Sequence, residues 1–280
     1  MLIFHRGVIW MLIATFFFAL MGTFVKLGGE SFAPTELVFY RSSISLVFII
    51  SIMRWNNITY SSNYIKLHLT RSSIGFISLL FFFYAIKHLP LSTAISLNYT
   101  SPIFLGLLMP LILKRKVKKW LFLAVTIGFL GVFFILKPTF ENQNYFAGLI
   151  GLISGLGAAM AYLFVTQLGQ LKEPVLRTIF YFTLISTVCS GFMMLFSEIH
   201  NIRFGDVLIL LGLGVSATIA QIAITKAYHV GNTLGNAGLS YLTIIFATII
   251  GAVWFNEFID SQTALGILLI IISGIFASRK

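Results

Sequence analysis

Three short sets of polar residues stand at helical spacing inside otherwise apolar runs. Asn236, Ser240 and Thr243 fall at i, i+4 and i+7 and share one helix face. Ala94, Asn98 and Ser101 repeat that spacing earlier in the chain, and Thr218, Gln221 and Thr225 follow i, i+3 and i+7. Amides and hydroxyls placed this way can line a cavity for a polar solute. They also serve as interhelical glue in lipid, where small polar side chains hydrogen-bond across helices, and spacing alone does not separate the two roles. Gln221 is the costliest of its stripe to bury. Tyr99 and Tyr241 sit one position, roughly 100° of rotation, from the other two stripes; each is suited to stacking on a solute or to plain packing. Tyr84 follows Phe81, Phe82 and Phe83 and is a further aromatic candidate. Pro102 removes one backbone hydrogen bond and frees the carbonyl of Asn98, which kinks the helix or offers that carbonyl to a solute.

Few charges interrupt the apolar runs. Arg41 lies seven residues past Pro34, roughly 10 Å into a helix. Pairing with Glu36 or snorkelling outward is the expected reading, and binding an anionic group is the alternative. Lys226 is expected to snorkel near a helix end, or to contact a solute. Glu257 is expected to mark the outer membrane boundary. The eight acidic residues are Glu30, Glu36, Glu141, Glu173, Glu198, Asp206, Glu257 and Asp260, all in loops or near span ends. A proton-coupled exporter of cations uses a buried carboxylate whose pKa is raised towards the working range. None is visible mid-span, so a neutral, zwitterionic or anionic metabolite is expected rather than a lipophilic cation. His5, His68, His88, His200 and His229 are far apart and show no metal-ligand spacing. H-E-x-x-H, G-x-S-x-G and the phosphate-binding G-x-x-x-x-G-K-[ST] are all missing. Neither an enzyme nor a cofactor is expected.

The elements that position these residues follow from composition. Hydrophobic residues make up 58% and charged residues 10%, against about 25% charged in soluble domains, too few to cover a water-facing surface. Runs of about 20 apolar residues suit transmembrane helices and occur at 7–27, 34–53, 70–88, 91–113, 117–136, 145–169, 174–197, 205–228, 232–255 and 260–277. They do not alternate apolar with polar, which excludes outer-membrane strands. The start MLIFHR leads into a retained first span rather than a cleaved signal peptide. The lone Cys189 permits no intrachain disulfide.

The net charge of +11 reports topology rather than nucleic acid, because the basic residues cluster between spans. With the N-terminus in the cytoplasm, fourteen Lys and Arg fall inside, among them Arg71 and the KRKVKK loop, and four fall outside: Lys26, Lys87, Lys137 and Arg203. The bias predicts an inner-membrane protein with both termini cytoplasmic. The halves also repeat. AISLNYTSPIF (94–104) aligns with NAGLSYLTIIF (236–246), Ala85 with Ala227, Gly7 with Gly148 and Pro34 with Pro174, a period of about 141 residues. Five spans per unit is odd, so the second copy is expected to enter from the opposite face. That places KRKVKK and its counterpart NEFID on opposite sides. Inverted repeats with a site near the midplane characterise secondary transporters.

YAIKHLPLSTAISLNYTSPIF (84–104) and KAYHVGNTLGNAGLSYLTIIFATIIGAVWFNEF (226–258) resemble the two copies of the EamA repeat of the drug/metabolite transporter superfamily. The resemblance spans about residues 7–277. It implies an all-α integral membrane fold of ten transmembrane helices, as two inverted five-helix repeats at 7–138 and 145–277. It also implies transport of small organic solutes such as amino acids, nucleobases, S-adenosylmethionine, riboflavin or drugs. Arg115 departs from the acidic residue that usually closes the fourth span. The expectation is therefore a carrier for a small polar metabolite such as an amino acid, working in the lipid bilayer as a monomer or homodimer. A lipid-carrier flippase, a proton-coupled drug exporter and a membrane-embedded enzyme are the alternatives.

Overall fold

Lipid leaves a backbone no water to bond to, so a spanning segment satisfies its own N–H and C=O groups by coiling into a helix. A computed structural model of the chain describes residues 2–113, 123, 126–128, 130–132, 134, 145–197, 199–230 and 233–278. Arg115 and the KRKVKK loop, most of the fifth span, Glu141, Glu198, Arg279 and Lys280 lie outside the described residues. Every regular element described is a helix: α1 (Leu2–Gly28), α2 (Pro34–Trp55), α3 (Ile65–His88), α4 (Leu91–Asn98), α5 (Ser101–Leu113), α6 (Tyr145–Gln170), α7 (Val175–Met194), α8 (Phe204–Val230), α9 (Thr233–Leu239), α10 (Leu242–Trp254) and α11 (Ser261–Ser278). Eight described segments are long and apolar enough to cross a membrane; α4–α5 together supply one, and α9–α10 another. Helix α11 contributes a shorter apolar stretch, Ser261–Ser273. Large apolar side chains on the outside, such as Val47, Val188, Leu208 and Ile249, are exposed, as a lipid-facing surface requires.

Local chemistry sets the helix ends. Pro34 opens α2 in its first turn, where a missing N–H costs nothing. Glu36 reaches back to accept the Ala33 N–H at 2.7 Å. This is half of a capping box, since alanine has no side-chain acceptor to complete it. Helices α2 and α6 stop at left-handed residues, Asn57 (φ 52°) and Lys172 (φ 57°). The next N–H in each case, from Ile58 and Glu173, bonds to the carbonyl five residues back, the Schellman arrangement. The turn in α6 thereby fixes where Glu173 points.

The fourth span is broken. Helix α4 ends at Asn98, Tyr99 and Thr100 form a turn, and α5 restarts at Ser101 with Pro102 in its first turn. The ninth span breaks at Ser240 and Tyr241, one residue out of register with the aligned copy. Gly155 of α6 packs against the first break; a Cβ there would lie 2.9 Å from the carbonyl oxygens of both Leu97 and Asn98. The carbonyl freed by Pro102 therefore meets helix α6.

The interfaces come in matched pairs. Helix α1 packs on α8 as α3 packs on α6, and α2 on α8 as α3 on α7. Helices α2 and α7 pack on each other, while α1 contacts α10 as α6 contacts α4 and α5. The core fills the space between, with Phe83, Ile86, Ile95 and Leu97 joined by Leu213 and Ile244.

Candidate functional site

A cavity of ≈ 70 Å³ sits among α1, α2, α3, α6, α7, α8 and the break in the fourth span. Its polar lining includes Arg41, Arg71, Asn98, Tyr99, Tyr162 and Gln221. Arg41 does not pair with Glu36, nor does it snorkel: it is 1% exposed. The Glu36 carboxylate is already committed to the Ala33 N–H and to the His200 backbone N–H and ring at 2.8 and 2.9 Å. Capping its own helix keeps the buried Glu36 carboxylate at the N-terminus of α2. Arg41 instead donates a long 3.4 Å bond to Gln221 Oε1 and lies with its Cζ 5.2 Å from the Phe182 ring centroid.

Arg71 was expected in an inner loop. It is 2% exposed, and its Cζ lies 4.0 Å from the same Phe182 centroid. The reason is where the helix begins: α3 starts at Ile65, not at residue 70. Arg71 thus stands a turn and a half inside, about 9 Å along the axis. The Nε and Nη1 atoms of both arginines have no hydrogen-bond partner among the described residues. A buried ion without a counter-charge costs several kcal/mol even after relaxation. A desolvated cation–π contact returns about 2 kcal/mol, so Phe182 offsets only part of it.

Four of the sequence candidates meet here: Arg41, Asn98, Tyr99 and Gln221. Asn98 is held by donating to Ser154 Oγ at 2.9 Å. Gln221 Nε2 donates to Thr225 Oγ1 at 3.4 Å, and Thr218 bonds to Ser45 of α2 at 2.8 Å. The α8 stripe therefore faces a polar stripe on α2. The others lie away from the cavity lining. Asn236 donates to the Ala227 carbonyl at 2.6 Å, which ties the ninth span to the end of α8. Ser240 bonds locally to the Ala237 carbonyl. Among the described residues the buried Tyr241 hydroxyl has no partner, while Ser101 and Thr243 are buried. Tyr84 is half-buried against His88, with ring centroids 4.4 Å apart. Lys226 does not extend freely outward: its Nζ sits 3.9 Å from the Trp10 ring centroid. Arg71, Tyr162 and Phe182 were missed. An arginine six residues into a helix was a usable signal for the first; two aromatics among many carried none.

A model of the EamA-like transporter family matches residues 5–137 and again residues 146–279. The chain belongs to the EamA-like transporter family. It is 30% identical to an uncharacterized transporter of Helicobacter pylori (strain J99), over 96% of this chain and 93% of that one. It is 28% identical to a pseudopaline exporter of Pseudomonas aeruginosa, covering 98% and 96%. It is 22% identical to an S-adenosylmethionine uptake transporter of Rickettsia prowazekii, covering 97% and 92%. A solved crystal structure shares the fold with a TM-score of 0.74 at 15% identity, over 98% of this chain and 96% of that one. This EamA-like chain is a multi-pass membrane protein of a transporter family.

At one end of the bundle the EamA-like chain carries an ion-pair cluster. Glu173 accepts from Ser62 and Arg177 at 2.9 Å each and lies 3.4 Å from His68. Burial alone would raise the Glu173 carboxyl. The Ser62 and Arg177 hydrogen bonds, the Arg177 charge and the His68 contact together hold it below its ordinary range. At the other end Glu257 is more than a boundary marker. Its Oε1 accepts the Leu91 N–H at 2.7 Å and lies 3.3 Å from Lys26 Nζ.

Proposed function

We propose that this protein is a secondary transporter that moves a small polar organic metabolite across the inner membrane by alternating access. The substrate site is the cavity holding Arg41, Arg71, Asn98 and Gln221, between two inverted five-span halves, with both chain termini cytoplasmic. The observation that carries this reading is a cavity among lipid-spanning helices that carries two arginines and two amides and is lined from both halves: Arg41, Arg71 and Asn98 from one, Tyr162, Phe182 and Gln221 from the other. The pairwise-matched interfaces and the breaks at aligned positions of the fourth and ninth spans support the inverted-repeat reading, as does the double family match. Discontinuous helices at a repeat interface are a recurrent design of such carriers. Relatives named as an exporter and as an uptake transporter support a small-metabolite substrate.

Purified protein in proteoliposomes should show counterflow of at least one labelled polar metabolite. Cysteines placed at 116 and 258 should react with an impermeant maleimide from opposite faces. Counterflow of no solute, with both cysteines labelled from one face, would defeat the proposal.

A further inference from the structure

Five acidic, basic or histidine side chains are buried among the described residues: Glu36, Arg41, His68, Arg71 and Glu173. Three have partners of complementary chemistry. Glu36 is held by His200 and a backbone N–H, and His68 and Glu173 face each other beside Arg177. Arg41 has only its long bond to Gln221, and among the described residues neither Arg41 nor Arg71 has a carboxylate partner. They share one aromatic ring, and among the described residues no Asp or Glu lines their cavity. The neutral amides nearby are already engaged, Asn98 with Ser154 and Gln221 with Arg41 and Thr225.

We propose that this cavity binds a small organic acid carrying two negative charges, which bridges the two guanidiniums. The assignment rests on the reading of the cavity as the substrate site. The argument is one of charge. A neutral solute would leave two cations uncompensated in a low-dielectric interior, and a monovalent acid would leave one. A zwitterion would add an ammonium with no carboxylate to receive it, and a lipophilic cation would make a third positive charge. A dianion neutralises the site, and the guanidinium fork matches carboxylate and phosphate oxygens equally well. The chemistry is thus that of a dicarboxylate or a phosphate monoester. The cavity volume is ≈ 70 Å³, and admitting an acid the size of succinate requires the helices around the fourth-span break to part.

The test uses the full-length chain, purified and reconstituted. Succinate and glycerol 3-phosphate are the dianionic probes; butyrate, succinamide and putrescine are the monovalent, neutral and cationic controls. Thermal unfolding should shift upward and saturably with at least one dianion, and with neither succinamide nor putrescine. A response to succinate alone assigns the dicarboxylate class, and one to glycerol 3-phosphate alone assigns the phosphate class. Arg41→Gln and Arg71→Gln should each weaken the apparent affinity at least tenfold. The unliganded midpoint of each variant should stay level or rise, because each removes an unpaired charge; a merely structural arginine would lower it. No shift with either dianion, an equal shift with succinamide, or a full response in both variants would overturn the assignment. Exchange of a neutral or cationic solute through the chain would overturn it while leaving the transport reading intact. Saturable dianion binding without exchange of any solute would uphold it and sink the transport reading.

Discussion

Replacing Glu257 by alanine should open the molecule at the end that carries Lys26 and Leu89. Helix α4 begins after Pro90, which offers no side-chain cap, so its first N–H groups need an acceptor from elsewhere. Glu257, just beyond α10, supplies it: Oε1 accepts from Leu91 N–H at 2.7 Å. The same oxygen lies 3.3 Å from Lys26 Nζ, and Lys26 donates to the Leu89 carbonyl at 2.6 Å. Three spans from both halves are thus stitched through one carboxylate, and the alternating access proposed above would require that stitch to part. A hydrogen bond to a charged group is worth about 1.5–3 kcal/mol. The ion pair has a Lys26 side chain 23% exposed and adds at most about 1 kcal/mol. Losing both should shift the closed-to-open equilibrium at this end by on the order of 10- to 1,000-fold. Glu257→Gln keeps an acceptor for Leu91 and loses only the charge, so its effect should be about fivefold. The assay places a cysteine at position 98 in a Cys189→Ser background and follows labelling by an impermeant maleimide from each face. Faster labelling from one face only, in the order alanine over glutamine over glutamate, is expected. A Glu257→Ala rate unchanged on both faces would refute the tether as a gate, and equal acceleration from both would show general unfolding instead.

Two further outcomes follow from the packing and the ion pairs. A Cβ at Gly155 would lie 2.6 Å from Thr100 Oγ1 and 2.9 Å from two backbone carbonyls, so Gly155→Ala should cost about 1–3 kcal/mol of stability. Gly205→Ala, which meets nothing within 4 Å, should be neutral or mildly stabilising; equal midpoints for the two variants would contradict this. Glu173 has its folded pKa held below the ordinary value of 4.5. Its contribution is therefore fully present above the unfolded value and is lost as pH falls through the folded one. The wild type should lose midpoint steeply below about pH 4.5, and Glu173→Gln should start lower at neutral pH and flatten over that range. Parallel pH curves would show that the cluster carries no linked stability.

Much of the architecture was legible because lipid imposes one backbone solution on each long apolar run. The spans α1, α2, α6, α7 and α8 fall within a few residues of their expected bounds, apart from the earlier start of α1. The break in the fourth span lies beside Pro102, where a kink was expected, whereas the break of the ninth span at Ser240 and Tyr241 had no such signal. The failures have a common cause. Asn236, Ser240 and Thr243 do not share one helix, because the ninth span breaks at Ser240 and Tyr241. Asn236 bonds instead to the Ala227 carbonyl of α8, and Ser240, at the break, bonds back to Ala237. Small polar residues look alike whether they face a solute or a neighbouring backbone.

What the amino-acid sequence determined by itself was the membrane, the helices, the internal repeat and the family, since these depend on composition, period and motifs local to the chain. What the tertiary structure decided was which faces turn inward and which charges go unanswered. Arg71 reads as a loop cation until α3 is seen to begin at Ile65. Arg41 reads as a partner of Glu36 until Glu36 is seen bound to His200, 164 residues away. Helical periodicity gives the relative angle of side chains on one helix, whereas a counter-charge is a property of several helices at once. The pair of arginines on Phe182 exists only where α2, α3 and α7 meet.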